Sequence, residues 1–271
     1  MKKVTIIGST GFIGGELKSY LDEIEDIELY TPSRPELDQM DENLGVVVYC
    51  AGFGDCNKPK SVIDANINGL MKLLITSSYE KLIYLSSTRV YMESYSSHEN
   101  SDVTVLDKDD RRLFNLSKLV AEELCLKSPG RNIILRPSNV YGKAIKSNLF
   151  LPSIVRNAVI DREINMYISR EYQKDYVSVN DVVSVIYNII INECKYDTYN
   201  IASGKNTKAI TIADIISSKT KCSVNWLNKI KDESFPETNI DRIIEEFNFS
   251  PSNVIDDLEI MVDIFDEEFR S

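Results

Sequence analysis

The chain has 271 residues, with 31 Lys and Arg against 42 Asp and Glu, and a formal net charge of −11. Apolar residues make up 43% and charged residues 27%, an ordinary composition for a globular chain long enough to bury an extensive core. The acidic balance argues against a nucleic-acid binder, whose affinity comes from Lys and Arg on phosphates, and against a polybasic membrane contact.

A β-branched run predicts a first strand over residues 4–7. It leads into Gly8-Ser9-Thr10-Gly11-Phe12-Ile13-Gly14 and then into a helical pattern over 15–25, marked by Leu17, Tyr20, Leu21 and Ile24. A strand that turns sharply into a helix leaves backbone N–H groups pointing outward, a site for a pyrophosphate. Strands follow at 27–30, 46–50, 82–86 and 133–136, separated by helical patterns at 62–79 and 113–127. The strands are nearly continuous apolar runs, as when both faces are covered. This alternation predicts an α/β fold with a doubly wound parallel sheet and a ligand crevice at the carboxyl ends of its strands.

After Gly142 the rhythm changes. A helix is expected at 152–161, short strands at 164–168 and 176–179, a helix at 182–192 capped by Asp181, and another at 212–219 capped by Thr211. Residues 226–238 read as irregular and charged, and 241–247 and 255–269 as terminal helices. The apolar stretch 182–191 carries Ser184, Tyr187 and Asn188 and is too short to span a bilayer. The strand-like start is expected to belong to the fold rather than to a cleaved leader. Five Cys, an odd number with no CxxC and no nearby His, suggest free thiols in a reducing cytoplasm and no metal site. His98 falls in a polar stretch that reads as a surface loop.

Further segments stand in a telling order: Cys50-Ala51-Gly52 at a strand end, Leu85-Ser86-Ser87-Thr88-Arg89-Val90-Tyr91, the helix bearing Lys118, and Arg136-Pro137-Ser138-Asn139-Val140-Tyr141-Gly142. Lys174-Asp175-Tyr176-Val177-Ser178-Val179-Asn180-Asp181 and Tyr199-Asn200-Ile201-Ala202-Ser203-Gly204 follow. With the glycine turn, this series resembles the extended short-chain dehydrogenase/reductases. The likeness is to their nucleotide-sugar branch of epimerases, dehydratases and 4-keto reductases. The resemblance implies a Rossmann-type NAD(P)-binding domain over residues 1–142. It implies a smaller, interleaved substrate-binding part over 143–271, with a segment near 180–205 returning to the first domain.

The resemblance also implies residue roles. Gly8, Thr10, Gly11, Phe12, Ile13, Gly14, Ala51, Gly52, Asn66, Lys118 and Pro137 would contact the coenzyme. Ser87, Thr88, Asn139, Asn148, Leu149 and Lys174 would contact a nucleotide-diphosphate sugar, with Lys174 standing where the family usually has Arg. The catalytic set would be Ser87, Lys118 and a Tyr four residues before that Lys. Here that position is Phe114, which has no proton to give. Three readings stay open: an engineered variant, a natural member with another proton donor, or a relative that binds without catalysis.

The second predicted strand ends at Thr31 rather than at an acid for the ribose 2′-hydroxyl. Ser33 and Arg34 suit a 2′-phosphate, with Asp38 near the adenine, so NADP is expected over NAD. Thr88-Arg89 after Ser87 replaces the acid pair of the dehydratases. The expected function is therefore NADPH-dependent reduction of a nucleotide-linked 4-keto (deoxy)hexose. The alternatives are an NAD-dependent nucleotide-sugar epimerase and a catalytically inactive NADP-binding regulator. A homodimer, paired through the helices at 62–79 and 113–127, is implied by the same resemblance.

Overall fold

The computed structural model describes residues 1–33, 36, 43–147 and 149–270. Arg34, Asp38 and Asn148, expected among the ligand contacts, lie outside the described residues. The first half alternates β1 (Lys2–Ile7), α1 (Phe12–Leu21), β2 (Ile27–Tyr30), β3 (Val46–Tyr49), α2 (Pro59–Ile63), α3 (Gly69–Thr76), β4 (Lys81–Leu85), α4 (Arg112–Lys127) and β5 (Arg131–Pro137). Then come β6 (Asn139–Tyr141), α5 (Phe150–Ile160), β7 (Glu163–Met166), β8 (Gln173–Ser178), α6 (Val179–Ile191) and β9 (Thr198–Ile201). The chain closes with β10 (Asn206–Lys208), α7 (Ala209–Thr220), β11 (Ser223–Trp226), α8 (Asp241–Phe247) and α9 (Val254–Arg270).

Six strands form a parallel sheet in the order β2-β1-β3-β4-β5-β9. Because side chains alternate faces, one parity of each strand (Val4, Ile6, Val46, Val48, Ile83, Leu85, Ile133, Leu135) packs against Leu17 and Leu21 of α1 and Val182, Val183 and Ile186 of α6. The other parity (Val47, Tyr49, Leu82, Tyr84, Ile134) packs against Leu70 and Leu73 of α3 and Ala121 and Cys125 of α4. Both faces are therefore apolar, which accounts for the unbroken hydrophobic runs. A separate core joins α5, α7 and α9 to β7 and β8 through Leu151, Val155, Ile164, Met166, Ile212, Ile216, Leu258 and Phe265. The segment between these parts folds back: α6 packs on α1, with the Tyr20 and Tyr187 rings 5.5 Å apart, and β9 extends the central sheet beside β5. Among the described residues, no helix is long and apolar enough to cross a membrane.

Three local expectations need correction. The helix expected at 62–79 is α2 and α3 joined by a π turn at Asp64–Asn68. The cause is tertiary: the Tyr49 hydroxyl donates to the Ala65 carbonyl at 2.9 Å, drawing it from the helical ladder, and a Cβ at Gly69 would lie 2.7 Å from that hydroxyl. Asp181 does not cap α6. Ser178 does, accepting from the Asn180 N–H, while Asp181 accepts from the Ser252 N–H (2.8 Å) and Oγ (3.0 Å) and so anchors the α8–α9 connection. Thr211 lies inside α7, which starts at Ala209 because antiparallel pairing of β10 with β8 delivers the chain directly into the helix.

The order of strands reverses at β1, which lies between β2 and β3, and this opens a crevice. Two glycines make the turn there possible. Gly8 has φ +90°, and a Cβ on it would meet the Ala51 nitrogen at 2.7 Å. A Cβ on Gly14 would come 2.3 Å from the Gly8 carbonyl oxygen.

Candidate active site

A cleft of about 670 Å³ opens over the carboxyl ends of β1, β3, β4 and β5 and is closed on its far side by the second core. At one end lie Gly11, Phe12, Ile13 and Gly14 at the start of α1. This helix begins at Gly11 without a side-chain cap, so N–H groups of its first turn are left for a ligand. An anion there meets both those donors and the positive end of the helix dipole. A nicotinamide dinucleotide fits this arrangement, and Gly11–Gly14, Gly52, Lys118 and Pro137 are the lining residues that would hold it.

Other expected coenzyme contacts are placed differently. Thr10 is exposed, and Gly8 and Ala51 shape the turn rather than line the cleft. Asn66 is fully buried and does not face the cleft. Its Oδ1 accepts from the Phe53 N–H at 2.9 Å, and its Nδ2 donates to the Phe53 carbonyl (3.1 Å) and Ser117 Oγ (2.8 Å). It braces the Gly52–Gly54 loop, and the π turn is what points it inward. Ser33 is exposed, and its N–H donates to the Glu36 carboxylate at 2.6 Å.

The centre of the cleft brings together Ser87, Phe114 and Lys118, which are far apart in sequence. Ser87 ends the β4 exit and caps a 3₁₀ turn at Thr88–Tyr91, its Oγ accepting from the Arg89 N–H at 3.1 Å. Phe114 and Lys118 are one turn apart on α4 and so share a face. The Lys118 ammonium donates to the Leu85 carbonyl at 2.8 Å and lies 5.8 Å from the centre of the Phe114 ring. Lys118 is 5% exposed and has no carboxylate ion-pair partner among the described residues. Burial pushes its pKa down to about 8, against the opposing pull of Glu122 and Cys50.

That shift predicts a pH dependence. Lys118 loses its charge as pH rises through about 8, so its attraction for an anionic coenzyme is present below that pH and fades above it. Fluorescence titration of NADPH is expected to show affinity falling about tenfold between pH 7 and 9, the scale of one charged hydrogen bond. The K118M variant is expected to show no such fall; equal profiles for the two proteins would refute the assignment.

The wall facing the second core carries Thr88, Arg89, Arg111, Asn139, Leu149, Tyr172, Lys174 and Glu233. Asn139 donates to the Asp175 carbonyl at 2.7 Å, which pins β6 to β8. Lys174 pairs with Glu233 Oε2 at 2.9 Å, and the Tyr172 hydroxyl donates to the same oxygen at 3.0 Å. Glu233 Oε1 meets Arg89 Nη2 at 2.6 Å. Burial alone would raise the Glu233 pKa, but Lys174 and Arg89 outweigh it and hold the carboxyl at about 2. Arg89, Arg111 and Glu233 are site residues that sequence reasoning missed. Arg111 had a signal, since it lies one helical turn before Phe114. Glu233 had none, because its partner Lys174 is 59 residues away. His98 is exposed and outside this cleft, as its polar surroundings suggested.

Comparisons with known proteins agree with this geometry. The family model described as "NAD dependent epimerase/dehydratase family" matches residues 4–202. GDP-6-deoxy-D-mannose reductase of Pseudomonas aeruginosa is 23% identical over 80% of this chain and 79% of its own. The structure of RMD from Pseudomonas aeruginosa complexed with NADPH superposes with a TM-score of 0.80 at 19% identity, covering 98% of this chain and 100% of that one. MoeE5 in complex with UDP-glucuronic acid and NAD does so with a TM-score of 0.84 at 15% identity, covering 98% and 99%. The uncapped glycine turn, the six-stranded parallel sheet and the family match over most of its length together show that this chain belongs to the NAD-dependent epimerase/dehydratase family.

Proposed function

We propose that the chain catalyses NADPH-dependent reduction of a nucleotide-linked 4-keto hexose or deoxyhexose. The observation that carries this reading is the convergence of Ser87, position 114 and Lys118 in the cleft that the start of α1 opens. A coenzyme bound there would supply a hydride for the sugar carbon. The Ser87 hydroxyl is then positioned to donate to the sugar oxygen as negative charge develops on it. Lys118 would hold the coenzyme ribose and keep positive charge beside that oxygen. Phe114 supplies no proton, so protonation falls to water or the Ser87 hydroxyl and the step is slow.

Three features favour a reductase that consumes NADPH. β2 leads to Thr31, without an acid at its end. Thr88-Arg89 replaces an acid pair after Ser87. The relatives include a GDP-6-deoxy-D-mannose reductase and a structure with NADPH bound. Residues 1–142 form the coenzyme half in this reading, joined by α6 and β9, and the remainder forms the sugar-nucleotide half. The outer faces of α3 and α4 leave Met71, Ile75, Leu116 and Val120 exposed, which suits pairing of two copies. A cytoplasmic place suits the free thiols and the intracellular coenzyme.

The test is coenzyme titration followed by NADPH oxidation against a panel of nucleotide-linked 4-keto hexoses. NADPH is expected to bind about tenfold more tightly than NADH, the worth of one guanidinium–phosphate contact. Tighter binding of NADH, with interconversion of hexoses and no net coenzyme consumption, would replace the reductase by an epimerase. MoeE5 is solved with NAD, the coenzyme that this second reading calls for. Tight NADPH binding with no turnover, even after restoring Tyr at position 114, would leave a regulatory binder.

A further inference from the structure

The cleft wall carries more positive charge than its own carboxylates offset. Arg89 is 6% exposed, and its Nη2 pairs with Asp109 Oδ1 at 2.8 Å and Glu233 Oε1 at 2.6 Å. Its buried Nε has no hydrogen-bond partner among the described residues. Lys174 shares Glu233 at 2.9 Å. Arg111 stands within electrostatic reach of Arg89, Lys174, Glu233 and Asp109. Its guanidinium lies 4.7 Å from the centre of the Phe114 ring, and Nη2 stands 3.2 Å from where a Cβ on Gly54 would be. Arg111 forms no ion pair among the described residues. Three cations (Arg89, Arg111, Lys174) thus share two carboxylates (Asp109, Glu233), in a chain whose overall charge is −11.

The surplus lies at the reacting end of the cleft. Arg89 is two residues beyond Ser87 on one 3₁₀ turn, and Arg111 is one turn ahead of Phe114. A neutral hydroxymethyl or methyl group beside these cations would leave the buried Arg89 Nε unpaired, which is costly, and the exposed Arg111 guanidinium to solvent. A carboxylate would accept from the planar guanidinium fork and match the surplus of one charge.

We propose that Arg89 and Arg111 read a carboxylate on the sugar, so that the nucleotide-linked hexose handled here is a hexuronate with its acid at C6. This rests on the nucleotide-sugar reading above and narrows it. Specificity of this kind is strong, because the neutral analogue strands polar groups that the site was built to satisfy.

Calorimetry tests it without turnover. Matched pairs would be titrated into wild type and Arg111→Met: UDP-glucose and UDP-glucuronic acid, dTDP-glucose and dTDP-glucuronic acid, GDP-mannose and GDP-mannuronic acid, each with its free nucleoside diphosphate. In the nucleotide series that binds, the acid is expected to bind about 10- to 100-fold more tightly than the neutral sugar to wild type. The ratio is expected to fall to about one in R111M, with the free diphosphate unchanged. A wild-type ratio near one overturns the proposal and leaves the nucleotide-sugar reading intact. So does equal weakening of all three ligands in R111M, which would move Arg111 to the diphosphate. Failure of every nucleotide and nucleotide sugar to bind a chain that still takes up coenzyme overturns both. Arg111 is exposed, so its loss should spare the fold, and an unchanged NADPH titration of R111M checks that.

Discussion

Phe114→Tyr is expected to raise turnover by about 10²- to 10⁴-fold, the usual worth of a positioned general acid. Position 114 faces the same cleft as Ser87 and Lys118, with the Lys118 ammonium 5.8 Å and the Arg111 guanidinium 4.7 Å from the ring centre. A phenol placed between two cations ionises more readily than in water, which brings its proton within reach of a reaction near neutral pH. The substitution adds one oxygen at the cleft surface, so the fold should tolerate it. Initial rates of NADPH oxidation by wild type and F114Y, each saturated with the best sugar nucleotide found by calorimetry, give the comparison. The gain should appear in kcat more than in KM, because the added hydroxyl acts chiefly in the transition state. Equal rates would mean that another group already moves the proton.

The second large effect concerns stability. Glu122→Ala is expected to lower the unfolding free energy by about 3–5 kcal/mol, the cost of leaving a buried charge without its partner. Glu122 is 3% exposed on α4, and both its oxygens hold Arg136 of β5, at 2.9 Å from Nε and 2.5 Å from Nη2. Ser86 donates to the same carboxylate. Arg136 in turn donates to the Tyr91 hydroxyl at 2.6 Å, and that hydroxyl donates to Asn200 of β9 at 2.9 Å. One network therefore ties together α4, the ends of β4 and β5, and β9, and it includes Ser86, the residue before Ser87. Urea unfolding should show an earlier midpoint with little change in slope. E122Q keeps an acceptor and should lose about half as much. A loss below about 1 kcal/mol for E122A would show that water reaches Arg136 and that the network is not what holds the sheet ends.

Much of this architecture is local. β1, β3, β4 and β5 were legible because each carries an apolar run buried on both faces, and the edge strand β2 because Ile27, Leu29 and Tyr30 flank a single exposed Glu28. The glycine turn was legible because Gly14 packs on the Gly8 carbonyl and Gly8 takes a positive φ within one βα unit, although Gly8 is also held against Ala51 beyond β3. The spacing from position 114 to Lys118 was legible because a helix puts such residues on one face. The order of segments from Gly8 to Gly204 was enough to indicate the family.

Other features belong to the folded state alone. The π turn at Asp64–Asn68 exists because Tyr49 of a neighbouring strand competes for the Ala65 carbonyl, and it is this turn that sends Asn66 inward to brace the loop beside Lys118. Asp181 looked like a cap in the sequence, but Ser252 claims its side chain in the fold. The charge of the cleft wall depends on Glu233 reaching Arg89 and Lys174 from a segment without regular structure. The amino-acid sequence by itself thus determined the alternating elements and the dinucleotide turn, since each follows from steric and periodic rules acting over a few residues, and the resemblance of its ordered motifs indicated the family. Only the tertiary structure decided which charges meet in the cleft, because Coulomb attraction and burial act through space between residues that the chain keeps far apart.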